Sequence, residues 1–148
     1  MAHTTTDLEI VTTRVVGAPR ERVFRAWTDP NELHRWWGPK GFTSTLHQHE
    51  LRIDGTWDFT FHGPDGKHYH NTSIYRRIDA PHRLEFDHVK PMHRFQVTVF
   101  FEPVGDRTRI EWHMRFPTPE ELNAVRTFIP PANEENLDRL EALLKELP

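Results

Sequence analysis

Cysteine is absent from this chain, which rules out disulfides, thiolate metal sites and a thiol nucleophile and suits a reducing compartment. Lysine is scarce, 4 against 15 arginines that form no run, and the net charge is −3. With no basic excess to neutralise phosphates, nucleic acid is not an expected partner. No apolar run approaches the ~20 residues of a membrane span, and MAHTTTDLEI has neither the basic nor the apolar region of a signal peptide. A cytoplasmic protein with no membrane insertion is expected. Catalytic signatures are missing too: there is no G-x-S-x-G, no phosphate-binding glycine loop, and no paired catalytic carboxylates, since Asp58 and Glu111 fall on solvent faces of their strands. The 148 residues, 28% of them charged, fit one soluble domain with room for one core or one cavity.

The densest segment is APRERVFRAWTDPNELHRWWGPKGF, residues 18–42. Pro19 suits the first position of a short helix that turns Val23, Phe24 and Trp27 the same way. Thr28-Asp29-Pro30 stops it. Asp29 then caps a second helix, with Glu32 placed as in a capping box. Leu33, Trp36 and Trp37 line one face of that helix, and Gly38-Pro39 ends it. Before this pair, residues 8–16 read as a strand. After it come strands at 43–53, 56–62, 67–78, 83–88, 94–101 and 108–116, several with strict alternation: Trp57, Phe59 and Phe61; Phe95, Val97, Val99 and Phe101; Ile110, Trp112, Met114 and Phe116. Gly63-Pro64-Asp65-Gly66 marks a hairpin. Thr118-Pro119-Glu120-Glu121 opens a short helix that Pro130-Pro131 is expected to break, and a last helix over 133–147 carries Leu137, Leu140, Leu144 and Leu147 on one stripe, with Asn133 as its cap.

Strands joined by short turns pair antiparallel, and their shared apolar face needs a cover. The last helix is the one long amphipathic element left. An α+β helix-grip fold follows: a curved antiparallel sheet of six to seven strands wrapped around a long C-terminal helix, with two short helices between the first and second strands. Residues 1–148 form a single domain, of which 1–7 are expected to be a flexible N-terminus.

The 18–42 segment resembles the signature of the family named after the C-terminal domain of the activator of the Hsp90 ATPase, within the START/Bet v 1-like superfamily. ELRIDGTW, GPDG, IYRRIDAPHRLEF and NLDRLEALL are similar to later family segments in the same order. Asp54, Arg77 and Asn133 depart from the pattern, standing where glycine, an acidic residue and tryptophan are usual. The resemblance implies an apolar cavity between sheet and last helix, and a membership that includes hydrophobic-ligand carriers, polyketide cyclases and a co-chaperone domain. It does not choose among them.

The expected binding wall is Trp57, Phe59, Phe61, Phe86, Phe95, Val97, Val99 and Trp112, opposed by Leu137, Leu140 and Leu144, with Asn133 at one end. Such a stripe ordinarily fills a core, but one helix stripe cannot fill a strongly bent sheet, so a ligand-sized space is expected. Trp36, Trp37 and Phe42 stand where an entrance lid would be; they could equally plug the open end. Histidine is abundant, at 11. His47 and His49 share a strand face with Leu51 and line the cavity if Leu51 points inward; His68 and His70 repeat the spacing. Neither pair has an identifiable third ligand, so no metal and no cofactor are expected.

The leading expectation is a non-catalytic binder of a small aromatic or acyl-like hydrophobic ligand. Its rival is a cyclase- or dehydratase-like enzyme with His47 or His49 as general base and Tyr75 orienting the substrate, helped by Asn71, Ser73 or His88. A chaperone-contacting module ranks third, because the co-chaperone carries an additional N-terminal domain. Residues 8–16, if an edge strand, could pair between subunits as a homodimer.

Overall fold

Alternating sequence builds an alternating sheet. The computed structural model describes residues 3–5, 8–91 and 94–147. Among the described residues eight strands run in chain order as β1 (His3–Thr5), β2 (Glu9–Val16), β3 (Thr43–His49), β4 (Thr56–His62), β5 (His68–Asp79), β6 (Arg83–Lys90), β7 (Phe95–Val104) and β8 (Arg107–Arg115). They form one antiparallel sheet in the order β1-β2-β8-β7-β6-β5-β4-β3, so chain neighbours pair except where β2 returns beside β8. Between β2 and β3 lie α1 (Arg20–Thr28) and α2 (Pro30–Trp36); α3 (Pro119–Val125) and α4 (Ile129–Glu146) follow the sheet. This is the expected helix-grip architecture, with seven longer strands and the three-residue β1 as an extra edge. The other residues of the expected N-terminal tail, 1, 2, 6 and 7, lie outside the described residues. Because Ile10, Val11 and Thr12 pair with β1, the 8–16 strand is not a free edge there. Among the described residues no helix is long and apolar enough to cross a membrane.

The helix ends follow their caps. Asp29 accepts a bond from the Asn31 N–H at 2.9 Å, and Thr118 accepts from the Glu121 N–H at 3.2 Å. Two readings change. Glu32 does not close a capping box, because the Asp29 N–H is already taken by the Arg25 carbonyl; its carboxylate turns to Arg22 at 2.6 Å instead. Pro130 and Pro131 do not break a helix but sit in the first turn of α4, where N–H groups have no intrahelical partner and proline costs no bond. α4 therefore starts four residues before the expected cap, and Asn133 is buried inside it.

The sheet's inner face and α4 enclose a continuous core. All five tryptophans meet in it: the Trp27 ring lies 4.9 Å from Trp36, 5.6 Å from Trp37 and 5.4 Å from Trp112, each edge-on, and Trp37 lies 5.4 Å from Trp57. Such contacts add about 0.5–1.5 kcal/mol each beyond burial. Gly55 lets the 50–55 loop close under β4, since a Cβ there would meet the Glu50 carbonyl oxygen at 2.1 Å. Asp54, just before it, sits at φ 65°, the left-handed region that aspartate tolerates better than most residues, and its carboxylate takes Arg76 at 2.8 Å.

Arg22 joins three helices. It pairs with Glu32 of α2 inside the protein, and its Nε donates to the Leu147 carbonyl after α4 at 2.9 Å. Removing one partner of a buried pair strands the other. Arg22→Met is expected to cost about 2–4 kcal/mol in urea unfolding, and the Arg22→Met/Glu32→Met double variant to recover most of that loss.

Candidate functional site

Halfway along α4 the packing changes character. Leu137, Leu140, Leu143 and Leu144 are buried in a solid core with α1, α2 and the β2 end of the sheet. The first two turns instead face a chamber of about 130 Å³, lined from α4 by Ala132, Asn133 and Asn136. Its sheet wall comes from Trp57, Phe59 and Phe61 of β4, Asn71 and Ser73 of β5, Phe86 and His88 of β6, Phe95 and Val97 of β7, and Trp112 and Met114 of β8. Trp37 and the loop after it close the remaining side.

The chamber is not sealed. Pro39, Phe61, Asn71, His88, Phe95 and Ala132 also line an open cleft of about 840 Å³, whose outer walls are the β4–β5 turn (Pro64, Asp65), Phe42, Tyr69 and the α3–α4 junction from Val125 to Pro131. Phe128 stands on that junction 64% exposed. The two spaces thus share a throat. Together they reach the range of about 300–1,000 Å³ typical of small-molecule sites, which the chamber alone does not.

The chamber's inner boundary is set by Trp37. Gly38, at φ 113°, adopts a backbone conformation other residues rarely take and lies so close to Phe61 that a Cβ would meet its ring at 2.7 Å. Asn136 brackets the indole by its backbone: its amide donates to the Trp36 carbonyl at 3.0 Å, and its carbonyl accepts from the Gly38 N–H at 3.3 Å. Arg139 adds bonds to the Gly38 and Pro39 carbonyls at 2.8 and 3.1 Å. Asn133 is held by Thr12, 3.2 Å from its amide nitrogen, and lies 3.5 Å from the Met114 sulfur.

Several expected site residues are placed elsewhere. Trp36 is no part of a mouth: it is fully buried, with its indole N–H on the Ala26 carbonyl at 2.9 Å. Val99, Leu137, Leu140 and Leu144 belong to the solid core rather than the chamber. Phe42 walls the outer cleft, as an entrance residue would. The His47/His49 pair is split by a β-bulge. Leu46 pairs with Phe59 and Gln48 with the next residue, Asp58, so His47 is the extra residue. His47 turns outward, exposed, 2.8 Å from the Thr60 hydroxyl, and only His49 turns inward. Leu51 is 43% exposed, so the premise that placed both histidines inside fails. Asn71, Ser73 and Tyr75 do share the inner face of β5, but Tyr75 lies beyond the chamber wall.

Behind Trp57, away from the chamber, is a histidine cluster in which His34 was not legible in advance. Trp57 Nε1 donates to His34 Nε2 at 3.0 Å, which leaves the His34 proton on Nδ1, directed at the Ser44 hydroxyl 2.7 Å away. His49 Nε2 and the Tyr75 hydroxyl are 2.9 Å apart. Burial, and secondarily the neighbouring His49, pushes His34 down to about 4. Burial also lowers His49 and raises Tyr75. These groups are held neutral, and none lines the chamber. The one titratable side chain that does, among the described residues, is His88, stacked 4.5 Å from Phe95. A single imidazole can hold or move one proton; Ser73, directly opposite it on β5, lines the chamber with it, and no Asp or Glu side chain does so among the described residues. No group of three or more His, Asp or Glu side chains among the described residues is arranged to hold a metal.

His34 generates a pH dependence. Between its ordinary value of 6.5 and about 4, the unfolded chain takes up a proton that the folded chain refuses. Stability contributed by neutral His34 is therefore complete above pH 6.5 and is lost as pH falls towards 4. Allowing for partial solvent access, the loss is on the order of 2 kcal/mol. His34→Gln keeps an acceptor for Trp57 and a donor for Ser44 but cannot titrate, so its urea midpoint is expected to fall less between pH 7 and 4.5 than that of the parent.

Comparison with known proteins follows the same outline. The Activator of Hsp90 ATPase homolog 1-like protein family matches residues 17–145. No curated protein matches the chain. Among solved structures, a solution NMR structure from Arthrobacter aurescens is 26% identical with a TM-score of 0.92, covering 99% of this chain and 92% of that one. A protein from Mycobacterium smegmatis is 22% identical with a TM-score of 0.86 (97% and 96% covered). The AHSA1 protein from Silicibacter pomeroyi is 20% identical with a TM-score of 0.76 (93% and 98% covered). With a signature that runs from the first helix pair to the last helix and a helix-grip fold shared end to end, the chain belongs to the Activator of Hsp90 ATPase homolog 1-like family, whose fold typically encloses a ligand-binding cavity.

Proposed function

We propose that this protein binds a small hydrophobic molecule without transforming it. One observation carries the reading: an aromatic-walled chamber opens through a throat into an apolar cleft, and no Lys, Arg, Asp or Glu side chain lines the chamber among the described residues. Cavities of about 150 Å³ hold a benzene-sized guest, so one ring or a short acyl end fits the chamber of about 130 Å³. The rest of the ligand would lie in the cleft. Ser73, Asn71 and Asn133 set neutral hydrogen-bonding groups into the chamber wall, so the enclosed end is uncharged and can carry a hydroxyl or carbonyl. A charged end would stay outside, near Lys40, Asp65 and Glu135 of the cleft.

A catalytic reading has one observation in its favour, the position of His88 in both the chamber and the throat. One experiment separates the two. The purified protein is titrated with the neutral fluorophore N-phenyl-1-naphthylamine, and small molecules carried through purification are sought by native mass spectrometry. Ala132→Trp, which blocks the throat and leaves the far wall intact, is expected to weaken fluorophore binding at least about tenfold. Unchanged affinity in that variant would remove the chamber as the site. A carried-over compound recovered chemically altered after incubation, and unaltered with His88→Gln, would replace the binder by an enzyme.

A further inference from the structure

The outer face of the β3–β4–β5 sheet carries a histidine patch that the chamber does not use. His47, His62, His68 and His70 all lie on it. Within the patch, His62 of β4 and His68 of β5 are directly opposite each other across the strand pair. Their Nδ1 atoms are 2.7 Å apart, and the rings meet edge-on with centroids at 4.9 Å. His62 Nε2 lies 2.7 Å from the Thr45 hydroxyl of β3. With the His62 proton on Nε2 and donated to Thr45, the His62 Nδ1 lone pair accepts from the His68 Nδ1–H; moving that proton to His68 Nε2 gives both rings an Nδ1 lone pair for a cation that takes the proton's place.

We propose that His62 and His68 form a two-histidine chelate for a late first-row divalent cation, copper(II) or nickel(II). Two nitrogens about 2.0–2.1 Å from one metal at a right angle are ~2.9 Å apart, whereas a tetrahedral angle separates them by ~3.3 Å. The present separation of 2.7 Å is that of the N–H···N bond a cation would replace; widening it to ~2.9 Å for a square-planar or tetragonal ion needs less movement than ~3.3 Å for tetrahedral zinc, and the general affinity order favours copper in the same sense. No three His, Asp or Glu side chains converge among the described residues, so water fills the other positions. His70 is held away by Asp58 at 2.5 Å, and His47 by Thr60 at 2.8 Å, which leaves both outside the chelate. The pair sits at the base of the Gly63–Gly66 turn, whose Pro64 and Asp65 wall the cleft, so a bound ion would staple the hairpin at that rim.

The test is calorimetric titration with copper(II), nickel(II) and zinc(II) at pH 7.5, with electron paramagnetic resonance of the copper form. Every sample carries His3→Ala, which removes the histidine nearest the N-terminal amine, a chelating pair in any peptide. One copper per chain is expected, with nitrogen hyperfine structure from two imidazoles and affinity falling from copper to nickel to zinc. His62→Gln and His68→Gln should each weaken copper binding at least about tenfold, while His47→Gln/His70→Gln should change it less than about twofold. Unchanged binding in the His68→Gln variant, a larger loss in the His47/His70 double variant, zinc binding as tight as copper, or no saturable binding below millimolar copper would each overturn the proposal. Circular dichroism of each variant confirms that the sheet is intact.

Discussion

One helix cannot fill a concave sheet, and the position of Trp37 decides where the shortfall goes. Its ring touches Trp27, Trp36 and Trp112 on one side and Trp57 and Phe86 towards the middle of the sheet. On the C-terminal side of that partition α4 meets α1, α2 and β2, and close packing is complete. On the N-terminal side the sheet's aromatic face is left looking at Ala132, Asn133 and Asn136, side chains too short to fill the space, although Asn133 reaches Thr12 and Met114 at its edge. The chamber is what remains when a wedge fixes the spacing and small residues follow it.

Holding a wedge in place takes directional forces, because apolar packing alone does not choose a rotamer. Asn136 supplies them on both sides of Trp37, and Arg139 donates to the Arg35 carbonyl in the last turn of α2 and to the Gly38 carbonyl just after it. Ion pairs add a second anchor. Arg14 of β2 meets Glu134 and Asp138 of α4 at 2.6 and 2.7 Å where water reaches, while the α4 groups that line the chamber, Ala132, Asn133 and Asn136, are neutral.

Much of the fold was legible because its signals are local. The Asp29 cap, the strict alternation of Trp57, Phe59 and Phe61, and the Gly63–Gly66 turn each depend on neighbours in sequence, and each reads correctly. The site was less legible because its geometry depends on exceptions to period. A single bulge residue, His47, reverses the facing of everything before it on β3, and no propensity marks its place. Pro130-Pro131 carries the same residues whether it ends one helix or begins another; here it begins one, with Ile129 buried against the core at its start. His34 carried no signal in the sequence, and it is half-buried because Ser44 of β3 and Trp57 of β4 close over it. The Leu137–Leu144 stripe was rightly apolar, yet apolar spacing cannot say which half of a helix faces a solid core and which half faces a void.

The central claim, an accessible apolar chamber beneath Trp37, is tested most directly by crystallography under xenon pressure, since xenon enters dry cavities without needing a specific partner. The structure requires a xenon atom bounded by Trp37, Trp57 and Trp112, with those rings unmoved. A chamber closed by collapse of Trp37 or Trp57 onto Ala132 and Asn133, with no xenon between sheet and α4, would contradict it.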